Sequence, residues 1–204
     1  GRTPRRCATR PAMCRFCDPT FFGLAEPQLP MLPGYRAALA AAWSPRTGRD
    51  VSAEQLAEID AGADAFIEGL SDRWNADPQG RTYIDDDGTE RVQLPRRVRW
   101  MWDGEFCGAI NLRWQPGTDE LPPHVFGHIG YSVVPWKRGH GFATRALRHM
   151  IEEAREVGLR TVELTTNPDN FASQRVIIKC GGESLGPRTL HGGKVQIVWR
   201  IALA

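Results

Sequence analysis

The chain alternates between two kinds of hydrophobic spacing, one with a period of two residues and one with a helical period. Alternation in "RVRWMWDGEFCGAINLRW", "HVFGHIGYSVV" and "RTVELTT" predicts strands. Between the last two, "RGHGFATRALRHMIEEAREVG" places Phe142, Leu147, Met150 and Ile151 on one helical face. Strand, helix and strand in this order predict a βαβ crossover.

The segments on either side of this crossover predict further helices and hairpins. "LPGYRAALAAAW" predicts a helix ending at Trp43, and a second helical pattern starts at Ser52 and is broken near Gly62. Acidic and Asp-Gly turns at 85–88 and 103–104 predict two hairpins. After the crossover, "NFASQRVIIKCGG" predicts a short helix, and the segment around Ser184 and "KVQIVWRIAL" predict closing strands.

The order of these elements predicts the fold class. We expect a single α/β domain whose mixed central sheet is antiparallel early, parallel across the long helix, and flanked by helices. The length of 204 residues fits one domain. Residues 1–30 are rich in Pro and Arg without periodicity and predict a basic tail or lead-in, so the domain is expected at 31–204.

Composition narrows the class of protein. With 41% hydrophobic and 25% charged residues, the chain is typical of a globular protein. We find no apolar run of membrane-spanning length and no secretory signal pattern, so we expect a cytoplasmic protein without membrane contact. Five arginines and no acid precede Asp18. An anionic partner for this tail is the alternative to simple solvation, and nucleic acid is not expected.

The cysteines raise the question of a metal. Cys7, Cys14 and Cys17 form C-x6-C-x2-C in the tail. A structural zinc site needs four ligands, and the first histidine is His124. We therefore expect reduced thiols and no metal, with a zinc site as the alternative.

Two glycines and an arginine stand at the start of the long predicted helix, in "RGHGFA". The first turn, Gly139 to Thr144, presents backbone N–H groups without intrahelical partners, and the helix dipole favours an anion there. Glycine at 139 and 141 removes the Cβ atoms that would block a phosphate, and Arg138 adds positive charge. The pattern indicates a diphosphate site, with a glycine turn needed only for packing as the alternative.

Two motifs in this region resemble those of a known family. "VVPWKRGHGFATRAL" resembles the acetyl-coenzyme A signature of the GNAT acetyltransferases, [QR]-x-x-G-x-[GA], filled by Arg138, Gly141 and Ala143. "NPDNFASQRVIIKCGG" resembles the second motif of that family, filled by Asn170, Ser173, Lys179 and Gly181. The sequence is also similar to the group that includes ribosomal-protein N-terminal acetyltransferases. The motifs cover residues 125–182 and occur in the family's order.

The resemblance implies a GNAT-like fold in which splayed parallel strands hold acetyl-CoA as a co-substrate. In this family the strand before the signature pairs its backbone with the pantetheine arm, and the signature amides bind the diphosphate. Residues of the second motif contact the arm or lie near the thioester sulfur. The implied cofactor-binding residues are Val133, Val134, Arg138, Gly139, His140, Gly141, Phe142, Ala143, Thr144, Asn170 and Ser173.

The resemblance also implies acetyl transfer to a primary amine of a small molecule or peptide, by direct attack in a ternary complex. Many members use a tyrosine seven residues after the motif asparagine as the acid, but Ile177 stands there. The acid would then be water or Tyr131, or the thiolate would leave without an acid. For the base we expect His128, near the position where histone-type members carry a glutamate, with Glu163 as the second candidate.

His128 suits this role because an unshifted imidazole titrates near neutrality. Period-two alternation places it on one face with Gly130 and Ser132, whose small side chains would leave room for a substrate. A histidine that is only hydrogen-bonded at a strand end is the alternative. A non-catalytic acyl-CoA-binding or sensor module is the alternative function, since Ile177 replaces the usual acid. The acceptor and a homodimer stay open.

Overall fold

The computed structural model describes residues 22–46, 49–72, 82–84, 89–190 and 193–203. Short 3-10 helices lie at Leu29–Met31 and Pro135–Lys137. The helices are α1 (Leu32–Ala40), α2 (Ser52–Ala61), α3 (Ala63–Leu70), α4 (Phe142–Glu156) and α5 (Phe171–Lys179). The strands are β1 (Gly23–Ala25), β2 (Thr82–Ile84), β3 (Glu90–Val92), β4 (Arg96–Trp102), β5 (Phe106–Arg113), β6 (Ile129–Val133), β7 (Thr161–Thr166), β8 (Glu183–Thr189) and β9 (Val195–Ala202).

The order of elements confirms the α/β class that the hydrophobic spacing predicts. The helical pattern is broken at Gly62, and both predicted hairpins form, as β2–β3 and β4–β5. The first helix ends at Ala40, before the predicted Trp43. The acidic turn at 85–88 and the tail at 1–21, with its three cysteines, lie outside the described residues.

The sheet consists of two halves with strand orders β1-β4-β5-β6 and β7-β9-β8. All ladders in the described ranges are antiparallel. Because β1 pairs with β4, the sheet begins at Gly23, before the domain boundary of 31 that the sequence suggests.

The two halves meet between β6 and β7, where we expected a parallel pair. In the described residues these strands form no ladder and are joined just before β6, where the His128 N–H donates to Glu163 O at 2.7 Å. The N–H of Glu163 donates to the His128 ring instead of a neighbouring strand, which ends the pairing. Gly127, at φ +78°, permits this approach, since a Cβ there would lie 2.9 Å from Glu163 O.

The core lies on both faces of the sheet. Helices α4 and α5 cover one face, where they pack against Met101, Ile110 and Leu112 of the sheet. Helices α1–α3 cover the other, where Trp100 stacks on Tyr35 with ring centroids 4.6 Å apart. None of the helices in the described ranges has both the length and the apolar character needed to span a bilayer.

Two buried arginines on β4 fix the helices to the sheet. Arg97 pairs with Glu153 and Glu156 of α4 at 3.1 and 2.7 Å. Arg99 pairs with Glu153 at 2.9 Å and with Asp72, which follows α3, at 2.7 Å. The network therefore connects the helices on opposite faces through one strand, and it sets the position of α4.

Candidate functional site

The glycine turn at the start of α4 has the form that the sequence predicts for an anion site. Gly139 and Gly141 adopt φ of +81° and +77°, in the left-handed region, and no atom lies within 4 Å of where their Cβ atoms would be. Gly141 is the N-cap residue and has no side chain to bond the first-turn amides. We call residues 139–144 the glycine cradle. Its open space and uncapped N–H groups fit a diphosphate.

Side chains around the glycine cradle shape it and add positive charge. The exposed Arg138 donates from Nε to Val133 O at 3.2 Å. The His140 ring folds back and donates from Nδ1 to Arg138 O at 2.8 Å, which stiffens the turn. Phe142 is buried, so it offers only its amide, and Ala143 and Thr144 are half-buried.

Arg145 adds a second positive charge beside the glycine cradle, and the sequence did not predict it. The Arg145 guanidinium stacks over Phe22 and Phe142, with its Cζ 4.4 and 4.9 Å from the ring centroids. Its Nη2 donates to His140 O at 3.3 Å. Arg145 lies outside the signature positions, and Phe22 is far away in sequence, so no local pattern pointed to this stack.

The backbone of β6 determines which of its residues could pair with an extended ligand. Val134 donates its N–H to Cys107 O, and His128 O accepts from Arg113, so every second residue faces β5. The alternate residues, including Val133, therefore turn their N–H groups toward the gap between β6 and β7. Val134 does not suit the role expected for it, because its carbonyl also accepts from Lys137.

The side chain of Tyr131, on β6, contacts the start of α5. Its hydroxyl lies 2.7 Å from Ser173 Oγ, and Asn170 Oδ1 accepts from the Ser173 N–H at 3.1 Å as the N-cap of α5. Burial raises the pKa of Tyr131 to about 12. Ile177, one turn further along α5, is fully buried in the core. The structure thus brings Tyr131, Asn170 and Ser173 together, with a protonated phenol among them.

The position of His128 argues against a base that must reach an amine. The side chain is 1% exposed, and its Nδ1 accepts the Glu163 N–H at 2.9 Å. Nε2 is also buried and has no hydrogen-bond partner of normal geometry in the described residues. Burial lowers the pKa of His128 to about 4, although the Glu163 charge opposes this shift. The imidazole therefore joins the two sheet halves as a neutral group.

Glu163 faces away from α4 and is held by arginines. Its Oε1 accepts from Arg200 at 2.8 Å, and Arg188 lies 3.9 Å from Oε2. Ion pairs with these two arginines hold the carboxylate on the side of the sheet opposite α4. The position does not favour Glu163 as the base.

The sheet face next to His128 is partly covered, contrary to our expectation of open space. Trp43 Nε1 donates to Ser132 Oγ at 2.9 Å, and Ser132 Oγ donates to Ser44 O at 3.0 Å. The segment after α1 therefore lies over Ser132. Further along this face, the half-buried Asn111 packs against Gly130. No local pattern predicted the Trp43 contact, since it joins residues far apart in the chain.

No metal centre emerges from the described ranges, where no three His, Cys, Asp or Glu residues are grouped to hold an ion. Cys107 is buried, and burial raises its pKa to about 12. Cys180 is half-buried, with a pKa raised by burial. Burial therefore keeps both thiols protonated near neutral pH.

Solved structures share the fold of this chain at low sequence identity. The microcin C7 self-immunity acetyltransferase MccE, solved with acetyl-CoA and AMP, is 14% identical with a TM-score of 0.57, over 89% of this chain and 92% of that chain. A Salmonella typhimurium acetyltransferase that modifies the N-terminal serine of ribosomal protein L7/L12 is 13% identical with a TM-score of 0.56, over 90% and 95%. YncA from Salmonella typhimurium, a structure with acetyl-CoA, is 16% identical with a TM-score of 0.50, over 90% and 94%.

These likenesses establish the fold, and no curated protein matches the sequence. The family model of the acetyltransferase (GNAT) domain matches residues 53–183, which is more than half of the chain and includes β4–β7, α4 and α5. The residues of the glycine cradle lie within that match. The chain belongs to the GNAT acetyltransferase family.

Proposed function

We propose that this chain transfers an acetyl group from acetyl-CoA to a primary amine, by direct attack of the amine in a ternary complex. The observation that carries the proposal is the glycine cradle. It combines left-handed glycines and uncapped amides with two arginines, Arg138 and Arg145, next to the carboxyl end of β6.

Different residues would bind the diphosphate and the pantetheine arm of acetyl-CoA. The amides of 139–144, with Arg138 and Arg145 beside them, fit the diphosphate. The outward N–H of Val133 fits a carbonyl of the pantetheine arm, and Asn170 retains its amide nitrogen as a donor after capping α5. Bound acetyl-CoA would supply the acetyl group as an activated thioester.

Tyr131 is the residue we assign as proton donor. When the amine nitrogen bonds to the acetyl carbon and the C–S bond breaks, the sulfur leaves as a thiolate and accepts a proton. The Tyr131 hydroxyl can supply that proton and regain one from water through Ser173 Oγ, 2.7 Å away. Burial raises the pKa of Tyr131 to about 12, so the phenol is protonated at working pH but is a weaker acid than a free tyrosine, and the assignment rests on its position beside Ser173.

The amine proton passes to water in this proposal. His128 is buried and Glu163 is paired with Arg200, so neither is placed to accept a proton from a substrate. An amine that arrives as the ammonium ion must lose a proton before attack. We therefore expect the rate to rise with pH as the free-amine fraction of the acceptor grows.

The test is an assay of free thiol release from acetyl-CoA with a panel of small amines, amino acids, aminoglycosides and peptide N termini. We expect one class to raise thiol release well above the amine-free rate, with a product heavier by one acetyl group in mass spectrometry. Absence of acetyl-CoA binding by calorimetry would overturn the proposal entirely.

A second function is favoured by Ile177, which fills the position of the usual acid and is fully buried. A non-catalytic acyl-CoA-binding or sensor module would bind acetyl-CoA through the same glycine cradle. It would release no thiol with any amine of the panel, which separates it from the enzyme.

A further inference from the structure

One ion pair connects the segment before the glycine cradle to the turn between β4 and β5. Lys137 ends the 3-10 helix that follows β6, and its Nζ lies 3.1 and 3.0 Å from the two carboxylate oxygens of Asp103. Glu105 Oε2 lies 3.1 Å from the same Nζ. The side chains of Lys137 and Asp103 are each only 20% exposed, so water screens this pair less than a surface pair.

The Asp103 side of this contact is rigid. Its N–H donates to Glu105 O at 3.2 Å and its Oδ1 accepts the Glu105 N–H at 3.3 Å, which closes the turn. Strands β4 and β5, which the turn joins, are paired along most of their length. Although burial raises the pKa of Asp103, the hydrogen bond from Lys137 brings it below its usual value. The carboxylate is therefore ionised and fixed.

The Lys137 side of the contact leads into an exposed segment that lies between the 3-10 helix and α4. Residues 138–141 are exposed and include the two left-handed glycines. The His140 ring bonds only within the segment, to Arg138 O and Lys137 O. Three contacts anchor the segment to the sheet. Val134 donates its N–H to Cys107 O, Arg138 Nε donates to Val133 O, and the Lys137 side chain reaches the turn between β4 and β5.

We propose that the Lys137–Asp103 ion pair is a positioning clamp that sets the glycine cradle for the diphosphate of the donor. The inference rests on the proposed function, because it takes acetyl-CoA as the donor. The charge of Lys137 is already balanced by two carboxylates, so the lysine acts through geometry and not as a phosphate ligand.

Asp103→Asn tests the clamp because two explanations predict opposite signs. The substitution removes a negative charge near a diphosphate site, so a purely electrostatic effect would tighten acetyl-CoA binding. The clamp predicts weaker binding, by about fivefold to tenfold for the loss of one partly buried ion pair. Calorimetry with acetyl-CoA measures the affinity, and unchanged or tighter binding would overturn the clamp.

A truncated donor gives a second readout that general damage to the fold would not produce. Acetyl-pantetheine lacks the diphosphate, so Asp103→Asn should raise KM for acetyl-CoA and leave kcat/KM for acetyl-pantetheine unchanged. Equal losses with both donors would contradict the proposal. The control is Asp119→Asn, which breaks the pair of Asp119 with Arg160 at 2.9 Å, beyond the other end of α4. It should change neither donor's kinetics.

The double variant Asp103→Leu with Lys137→Met keeps the test open if Asp103→Asn does not fold. It removes one charge of each sign, so the net charge near the diphosphate is unchanged, and weaker acetyl-CoA binding again indicates positioning. Wild-type affinity in the double variant would refute the clamp. If the wild-type chain itself fails to bind acetyl-CoA, the proposed function fails instead, which separates the two outcomes.

Discussion

His128 precedes β6 and Tyr131 lies within it, and burial moves their pKa values in opposite directions. It raises the pKa of the Tyr131 phenol to about 12 and lowers that of the His128 imidazole to about 4, since the charged form is disfavoured in each case. Both groups are consequently neutral near pH 7. A neutral phenol is a proton donor, whereas the neutral imidazole is already used as an acceptor by the Glu163 N–H.

Tyr131→Phe should lower kcat about 100-fold, the smaller end of general acid–base effects, because a thiolate is a tolerable leaving group. KM for acetyl-CoA should stay unchanged, since the ring still packs in the gap. Free thiol release measures both constants. The control is Tyr35→Phe, which removes another buried hydroxyl, 2.6 Å from Gln55, outside the site. Full activity in Tyr131→Phe would exclude the phenol from the mechanism.

His128 should make the fold sensitive to mild acid. Its folded pKa of about 4 lies below the ordinary 6.5, so the unfolded chain binds the proton first as pH falls. The stability is complete above pH 6.5 and is lost progressively between 6.5 and about 4, by on the order of 2 to 3 kcal/mol. Urea unfolding across this window measures the loss.

His128→Asn is the matched variant, because its side-chain oxygen can still accept the Glu163 N–H. It should flatten the decline of stability toward low pH relative to the wild-type chain. The shape of the pH–rate profile should be retained, since the imidazole is not the base in this proposal. A profile that loses an ionisation near neutrality would restore His128 to the mechanism.

At the scale of elements, the turn between β6 and α4 decides whether a ligand can be held. A glycine with positive φ costs little there, whereas a β-branched residue costs about 1–2 kcal/mol in the left-handed region. Because no atom lies within 4 Å of a Cβ at Gly141, the fold itself has space for a larger residue. The requirement for glycine comes from φ and from the ligand that must approach.

Gly141→Val should abolish the rise in melting temperature that acetyl-CoA causes in the wild-type chain. Gly158→Val is the control, because Gly158 follows α4, has φ +87° and is equally free of neighbours. The two variants should lose similar stability without ligand, and only Gly158→Val should keep the thermal shift. A normal shift in Gly141→Val would mean that the diphosphate does not lie on the glycine cradle.

At the scale of the whole molecule, the ion pairs of β4 connect helices on opposite faces of the sheet. Glu153 is the shared partner of Arg97 and Arg99, whose side chains are 4% and 11% exposed. Removing one partner of a buried pair leaves an uncompensated charge. The position of α4, and with it the glycine cradle, depends on this network.

Glu153→Gln should lower the free energy of unfolding by about 2 kcal/mol, below the full cost for a buried pair because Glu153 keeps some solvent contact. Glu152→Gln is the adjacent control. Glu152 pairs with Arg155 on the exposed side of α4, where an ion pair contributes about 0.5 kcal/mol or less. Urea unfolding of both variants measures the difference, and equal losses would contradict a structural role for the network.

Much of the fold could be predicted because it depends on local patterns. Alternation placed β4–β7, and the helical spacing of Phe142, Leu147 and Met150 placed α4. The Asp-Gly turn at 103–104 placed the hairpin. The expected parallel ladder between β6 and β7 does not form, and this could not be predicted, because the His128 ring takes the N–H that a ladder would have used.

Part of the candidate site also follows from local sequence, and the rest depends on tertiary contacts. Gly139, Gly141 and the start of α4 follow from the sequence alone, because backbone conformation and unpaired helix amides are local properties. Burial and partners are not local. The buried His128, the Tyr131–Ser173 contact and the Asp103–Lys137 ion pair depend on residues brought together from distant parts of the chain. Only the tertiary structure decides which of those groups are protonated, paired or accessible.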